Sequence, residues 1–218
     1  MKSKLPNYFS QSFLLTVLGI NLSLFFYIAG YVKNSQINFQ DVAISLYVQS
    51  FQTDYMTFLM KFISFFGYPL PASLAVIFVC WYLYKQNKIK FSLLFSIVLF
   101  ADAIGSFIKW LIDRPRPTGE YLQIMSQLDS RSFPSNHAIH YTVFFGLFIY
   151  FLERGVIKAS PATSVFLRIF SVILVLMVGI SRIYLGAHWL TDVIGGYLLG
   201  SFFLISAILI AQKLKIKA

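Results

Sequence analysis

The chain is poor in charge, and poorest in acid. Charged residues make up 12% of its 218 positions, and eight Asp and Glu stand against 18 Lys and Arg. So little charge excludes an ordinary soluble surface, and a hydrophobic content of 58% excludes intrinsic disorder. Cysteine is nearly absent. Cys80 stands alone in an apolar run, so the chain can form no internal disulfide, and a small hydrophobe's place in packing or lipid is expected of it. No internal repeat, low-complexity tract or linker divides the sequence, so one domain over 1–218 is expected. The surplus of ten positive charges would suit nucleic acid, but the basic residues are not gathered into one patch interleaved with aromatics. No nucleic-acid partner is expected.

What the chain has in abundance is apolar length. Mean hydropathy is +0.72, and windows long enough to cross a bilayer run approximately over 13–32, 62–84, 91–112, 137–152, 169–184 and 193–211. The pattern predicts an all-α, polytopic membrane protein of six transmembrane helices. The fourth and fifth windows are short, and flanking residues would complete them. The basic stretch before the first window resembles a secretory leader, but the long apolar run without a small-x-small cleavage site predicts an uncleaved first helix. Between the first two windows, Val48, Phe51, Tyr55, Phe58 and Phe62 recur near a helical period, which predicts an amphipathic helix lying on the extracytoplasmic interface.

Cations orient the bundle, because retained segments carry the positive excess. With both termini inside, cytoplasmic segments hold Lys2, Lys4, Lys85, Lys88, Lys90, Arg154, Lys158, Arg168, Lys213, Lys215 and Lys217, most of the 18. The expected location is the cell membrane, of bacterial inner-membrane type, with the N- and C-termini in the cytoplasm. No feature fixes an oligomeric state.

The remaining polar chemistry falls at the outer ends of the later helices: "KWLIDRPRP" (109–117), "PSNH" (134–137) and "SRIYLGAHWLTD" (181–192). A charge held at bilayer depth costs on the order of 2.5–3.5 kcal/mol on insertion scales, so several together require a compensating partner. Lys109, Arg116 and Arg182 have too few acids nearby to neutralise one another, which points to an external anion with several oxygens, phosphate above all. Arg114 and Arg131 are expected to snorkel at helix ends, with Asp113 balancing Arg114. Ser135 is placed to N-cap the fourth helix, whose first-turn N–H groups would face the anion, with His137 able to exchange a proton with it. His188 and Asp192, four apart, share a helical face; the carboxylate can hold the imidazole with Nε2 free as a base or nucleophile. A His–Asp pair also suits a metal, but three nearby cations would repel a divalent ion, and no metal or cofactor is expected. Asp102 is expected to pair with a polar helix neighbour, His140 to be packed, and Gly195, Gly196 and Gly200 to permit close helix packing.

These segments resemble, in order and spacing, the signature of the type 2 phosphatidic acid phosphatase superfamily of integral-membrane lipid phosphatases. Lys, six residues, Arg-Pro is matched by Lys109, Arg116 and Pro117. Pro-Ser-Gly-His is matched by Pro134, Ser135 and His137, with Asn136 in the glycine's place. Ser-Arg, five residues, His, three residues, Asp is matched by Ser181, Arg182, His188 and Asp192. The resemblance implies that His188 attacks phosphorus to form a phosphohistidine, that Asp192 orients it, and that His137 protonates the leaving oxygen. It further implies that Lys109, Arg116, Ser135, Asn136 through its N–H, and Arg182 hold the phosphate oxygens. The implied substrate is a lipid phosphate or pyrophosphate in the bilayer: phosphatidic acid, phosphatidylglycerol phosphate, undecaprenyl pyrophosphate or phosphorylated lipid A. A lipid phosphotransferase using the same histidine and a non-enzymatic anion or lipid transporter are the competing readings.

Overall fold

In a computed structural model, residues 10–126 and 131–213 are described. Among them the regular elements are all helical: α1 (Gln11–Asn34), α2 (Phe39–Gln49), α3 (Asp54–Phe65), α4 (Pro69–Lys85), α5 (Ile89–Phe95), α6 (Ile97–Ile112), α7 (Asn136–Glu153), α8 (Pro161–Tyr184) and α9 (Leu190–Lys213). The one pairing of extended backbone is an isolated antiparallel bridge between Pro115 and Arg131.

Local chemistry sets the helix ends. Ser10, Asn38, Thr53 and Ser160 cap α1, α2, α3 and α8 with side-chain oxygens that accept first-turn N–H groups. Proline opens α4 and α8, where its missing N–H costs no helical bond. Asp113, in the left-handed region at φ 52°, ends α6 and turns the chain into the loop that carries Arg114 and Arg116.

Four helical stretches are long and apolar enough to cross a membrane: Gln11–Asn34, Ile89–Ile112, Pro161–Tyr184 and Leu190–Lys213. The second joins α5 and α6 through Ser96. A fifth forms if α3 and α4, bent by 48° across 66–68, are one span. The sixth expected span is α7, which fails on apolarity because Asn136, His137, His140 and Thr142 occupy its first two turns.

The core is centred on α7, which packs against α6, α8 and α9, while α1 covers α9 and α3 lies on α8. Gly196 lets α9 approach α7 closely, since a Cβ there would sit 2.6 Å from the Ser135 carbonyl and 2.8 Å from the Ala138 methyl. The outward face of the bundle is apolar, with Phe26, Phe58, Phe78, Phe100, Phe166 and Leu176 all exposed. That surface is the inverse of a soluble protein's and suits lipid.

The stretch expected as one amphipathic helix is two, broken at 50–53. In α2 the polar residues Asp41, Ser45 and Gln49 are buried, while Phe39, Leu46 and Tyr47 are exposed. The helix therefore turns its polar stripe inward and its apolar face out, and it lies against α8 and α9.

Candidate active site

Three loop-and-helix-end segments meet at one end of the bundle. Lys109, in the last turn of α6, donates through Nζ to the Ser132 carbonyl at 2.7 Å and the Pro134 carbonyl at 2.5 Å. The Ser135 N–H donates to the Asp192 carbonyl at 3.0 Å, fixing the start of α7 against the start of α9. Ser132 N–H reaches the Arg114 carbonyl at 2.8 Å, which ties the strip before α7 to the loop after α6.

His188 lies between α8 and α9 and is 2% exposed. Its Nδ1 is 3.4 Å from Asp192 Oδ2, and its Nε2 is 3.2 Å from Arg116 Nη1. A guanidinium only donates, so Nε2 must present its lone pair and Nδ1 must carry the proton toward Asp192. Arg116 Nη1 also donates to the Ala187 carbonyl at 2.5 Å. Burial, then the charges of Arg116, Lys109 and Arg182, hold the His188 imidazole well below its ordinary range, so it is neutral at pH 7.

Around this ring stand polar atoms that no described residue satisfies. Ser135 occupies the N-cap position of α7, but its hydroxyl makes no capping bond and is buried without a partner. Nε2 of His137 is in the same condition, and so are Nε and Nη2 of Arg182, which is fully buried. The remaining Arg182 nitrogen, Nη1, donates to Ser64 Oγ at 3.1 Å, and its guanidinium lies 5.8 Å from the centroid of the Tyr68 ring. Tyr68 also meets the His137 ring edge-on at 5.2 Å. A buried donor without an acceptor costs roughly 1–3 kcal/mol, so such a cluster is a site whose partner is a ligand. Its space is a cavity of about 670 Å³ whose lining includes Tyr68, Lys109, Arg116, Arg131, Asn136, His137 and His188. The sequence-predicted residues are thus brought together, with Ser135 and Arg182 contributing unpartnered atoms beside that lining. No three His, Cys, Asp or Glu side chains among the described residues are grouped to hold a metal ion.

Several expectations about neighbouring residues change. Arg114 does not snorkel. It is fully buried and clamped between Asp41 and Asp192, at 2.6 Å from each. Asp113 instead pairs with Arg131, at 2.7 Å and largely exposed. Asn136 is the first residue of α7 and has no positive φ. Its side chain turns to α6, where Nδ2 donates to Ser106 Oγ at 2.8 Å. Asp102 does pair with a polar helix neighbour, the packed His140, at 2.7 Å. Trp189 is fully buried, its Nε1 donating to the Pro115 carbonyl at 3.1 Å, whereas Trp110 is exposed.

Sequence reasoning missed Asp41, Ser64, Tyr68 and Thr191 as parts of this region. A signal existed for Asp41: with Ser45 and Gln49 it forms a polar stripe at i, i+4 and i+8 in an otherwise apolar helix. Tyr68 and Ser64 lie in an aromatic-rich segment with nothing to mark them.

Comparison with known proteins bears on this geometry. The model of the PAP2 superfamily matches residues 89–216. Phosphatidylglycerophosphatase B of Bacillus subtilis is 32% identical over 190 residues, covering 85% of this chain and 92% of that protein. An undecaprenyl-diphosphatase of Sulfolobus acidocaldarius is 30% identical over 122 residues, 54% of this chain and 53% of its own. In fold, the crystal structure of a transmembrane PAP2-type phosphatidylglycerolphosphate phosphatase from Bacillus subtilis superposes with a TM-score of 0.80 at 23% identity, over 90% of this chain and 96% of that one. Aquifex aeolicus LpxE gives 0.60 at 18% identity, over 76% and 93%. The chain belongs to the PAP2 superfamily and is an enzyme of the phosphatase class.

Proposed function

We propose that the protein removes a terminal phosphate from a membrane lipid phosphate or diphosphate, without a metal ion, through a phosphohistidine on His188. The observation that carries this reading is the state of His188. It is neutral, its Nδ1–H faces Asp192, and its Nε2 lone pair opens beside Arg116 on a cationic cavity. In the first step Nε2 attacks phosphorus and the bond from phosphorus to the lipid oxygen breaks. The electron pair stays on that oxygen, and His137 delivers a proton to it. Lys109, Arg116, Arg182, Ser135 and the Asn136 N–H at the start of α7 bear the charge on the three remaining oxygens. Asp192 stabilises the positive charge that develops on the His188 ring. A water molecule then attacks the phosphohistidine, giving its proton to His137, and phosphate leaves.

The substrates named for the similar proteins, a phosphatidylglycerol phosphate and an undecaprenyl diphosphate, both carry the phosphate on a lipid whose tail stays in the bilayer. Phosphatidic acid and phosphorylated lipid A share that form. The apolar outward surface beside a cavity open at the bundle end suits such a substrate.

The test is phosphate release from purified protein in mild detergent with a chelator present, using phosphatidylglycerol phosphate, undecaprenyl diphosphate and phosphatidic acid in turn. The wild type is expected to turn over at least one of them, and His188→Ala to lose at least roughly a thousandfold. Turnover that survives in the variant, or that the chelator abolishes, would sink the proposal. Phosphate passed to a second lipid in place of water would make the protein a transferase.

A further inference from the structure

The carboxylate that faces His188 is itself held in place, through Arg114, by a helix outside the signature segments. Asp192 divides its oxygens. Oδ2 faces His188 Nδ1 and accepts from the Trp189 N–H at 2.9 Å, while Oδ1 accepts from Arg114 Nη1 at 2.6 Å. Arg114 uses each of its nitrogens on a different partner. Nη1 also donates to Thr191 Oγ1 at 2.6 Å, Nη2 donates to Asp41 Oδ2 at 2.6 Å, and Nε donates to the Gln36 carbonyl at 2.8 Å. Asp41 in turn accepts from the Thr191 N–H at 2.9 Å and the Thr191 hydroxyl at 2.7 Å. Its place in α2 is fixed by Asn38, which caps the helix. Asp41, Arg114 and Asp192 are at most 1% exposed.

We propose that the buried Asp41–Arg114 pair is a positioning device for Asp192, so that α2, which lies outside the signature segments, sets the orientation and charge of the carboxylate serving His188. This rests on the reading of His188 as the nucleophile. Two features of the contacts make it more than a structural salt bridge. Arg114 alone would pull Asp192 toward itself and neutralise it. Asp41 balances that arginine, so the three together carry one net negative charge, which Asp192 can direct at His188. Thr191, the residue before Asp192, is bonded to both members of the pair, so a shift of Asp41 is felt one residue from the carboxylate. A lysine could supply the charge of Arg114 but not donors on three separate nitrogens held in a planar fork.

Asp41→Asn removes the charge while keeping an acceptor in nearly the same shape. Thr191→Val removes the hydroxyl bridge without altering charge. The charged and titratable groups that bear on His188 are Lys109 from α6, Arg116 from the following loop, His137 from α7, Arg182 from α8 and Asp192 from α9. With the balancing acid gone, the net potential at His188 becomes more positive. The imidazolium is then less favoured, so the acidic limb of the rate profile moves to lower pH. The rate on the plateau falls because the positively charged phosphohistidine loses support.

The experiment measures kcat, KM and the pH profile per folded molecule, with the folded fraction taken from gel filtration and the thermal midpoint in detergent. Wild type and His188→Ala are run first; if these do not differ, the reading of the site fails and not this inference. Given that difference, Asp41→Asn is expected to lower kcat roughly tenfold to a hundredfold, the scale on which partners orienting a functional imidazole act. KM should change little and the acidic limb should shift downward. Thr191→Val is expected to lower kcat several-fold without moving the limb, and Arg114→Lys to lose as much as Arg114→Ala. Unchanged kcat in both Asp41→Asn and Thr191→Val, or a loss fully accounted for by the folded fraction, overturns the inference. If Asp41→Asn yields no folded protein, Thr191→Val decides alone.

Discussion

At the scale of single residues, the cost of the site is visible in Arg182. Two of its nitrogens are buried with no acceptor, a condition that a folded core avoids because each such donor forfeits its bonds to water. The residue is held there by Ser64 Oγ on one side and by the face of Tyr68 on the other. An oxyanion that enters the cavity would satisfy what the fold leaves open, so binding and stability are linked through this residue. Inorganic phosphate or orthovanadate at a hundred times its Kd should add about 2.7 kcal/mol of stability. We expect the thermal midpoint of the wild type to rise accordingly on titration with either anion. Arg182→Ala should show a markedly smaller rise at the same concentrations, and an equal rise would mean that the anion is held elsewhere. Arg182 and its unmet donors were legible from the sequence as a cation with too few acids nearby. Arg114 was not, because a lone arginine beside an aspartate at a helix end looks identical whether it snorkels or is buried. Its true partner, Asp41, lies 73 residues away in the chain.

At the scale of elements, two glycines separate what holds the helices from what serves the chemistry. Gly196 faces the backbone carbonyl of Ser135, which cannot give way. Gly196→Ala should therefore behave as an overpacked core position, losing about 1–3 kcal/mol and lowering the thermal midpoint. Gly67, in the bend between α3 and α4, instead faces the ring of His137. A methyl there would press on a side chain whose Nε2 is unpartnered and whose ring Tyr68 meets edge-on. Gly67→Ala should cut kcat by roughly tenfold or more, since small misplacements of a reacting group are costly, with a smaller change in thermal midpoint than Gly196→Ala. The reverse ranking in the two measurements would show that the bend is a packing element only. Of these features, the close packing of α9 was readable from its run of glycines. The 48° bend was not, because hydropathy does not report direction, although Gly67, Pro69 and Pro71 are break signals inside 62–84. The break at 50–53 escaped for a related reason: the apolar residues of α2 and α3 keep helical spacing across it, and only the buried stripe of Asp41, Ser45 and Gln49 marks where α2 faces the protein.

At the scale of the whole molecule, the two ends of the bundle differ in kind. One end gathers the unmet donors and the cavity. The other is a basic surface in which Lys88 Nζ donates to the Val156 carbonyl at 2.5 Å, joining the α4–α5 turn to the α7–α8 loop, and Arg168 pairs with Glu153 at 2.6 Å. Lys85, Lys90 and Lys158 stand exposed around them. Membrane proteins in general retain their positive excess on the cytoplasmic side, so we propose that the cavity faces outward. The single cysteine makes this testable with little disturbance, because Cys80 lies within α4, only partly exposed, and Cys80→Ala removes one weak thiol contact to the Ser92 carbonyl. In that background, Thr118→Cys should react with a membrane-impermeant maleimide on intact cells. Lys158→Cys should react only after the membrane is opened. The opposite pattern would place phosphate release in the cytoplasm. The site would then act on lipids of the inner leaflet, and the charge asymmetry of the loops would have to be explained by the substrate's headgroups and not by insertion.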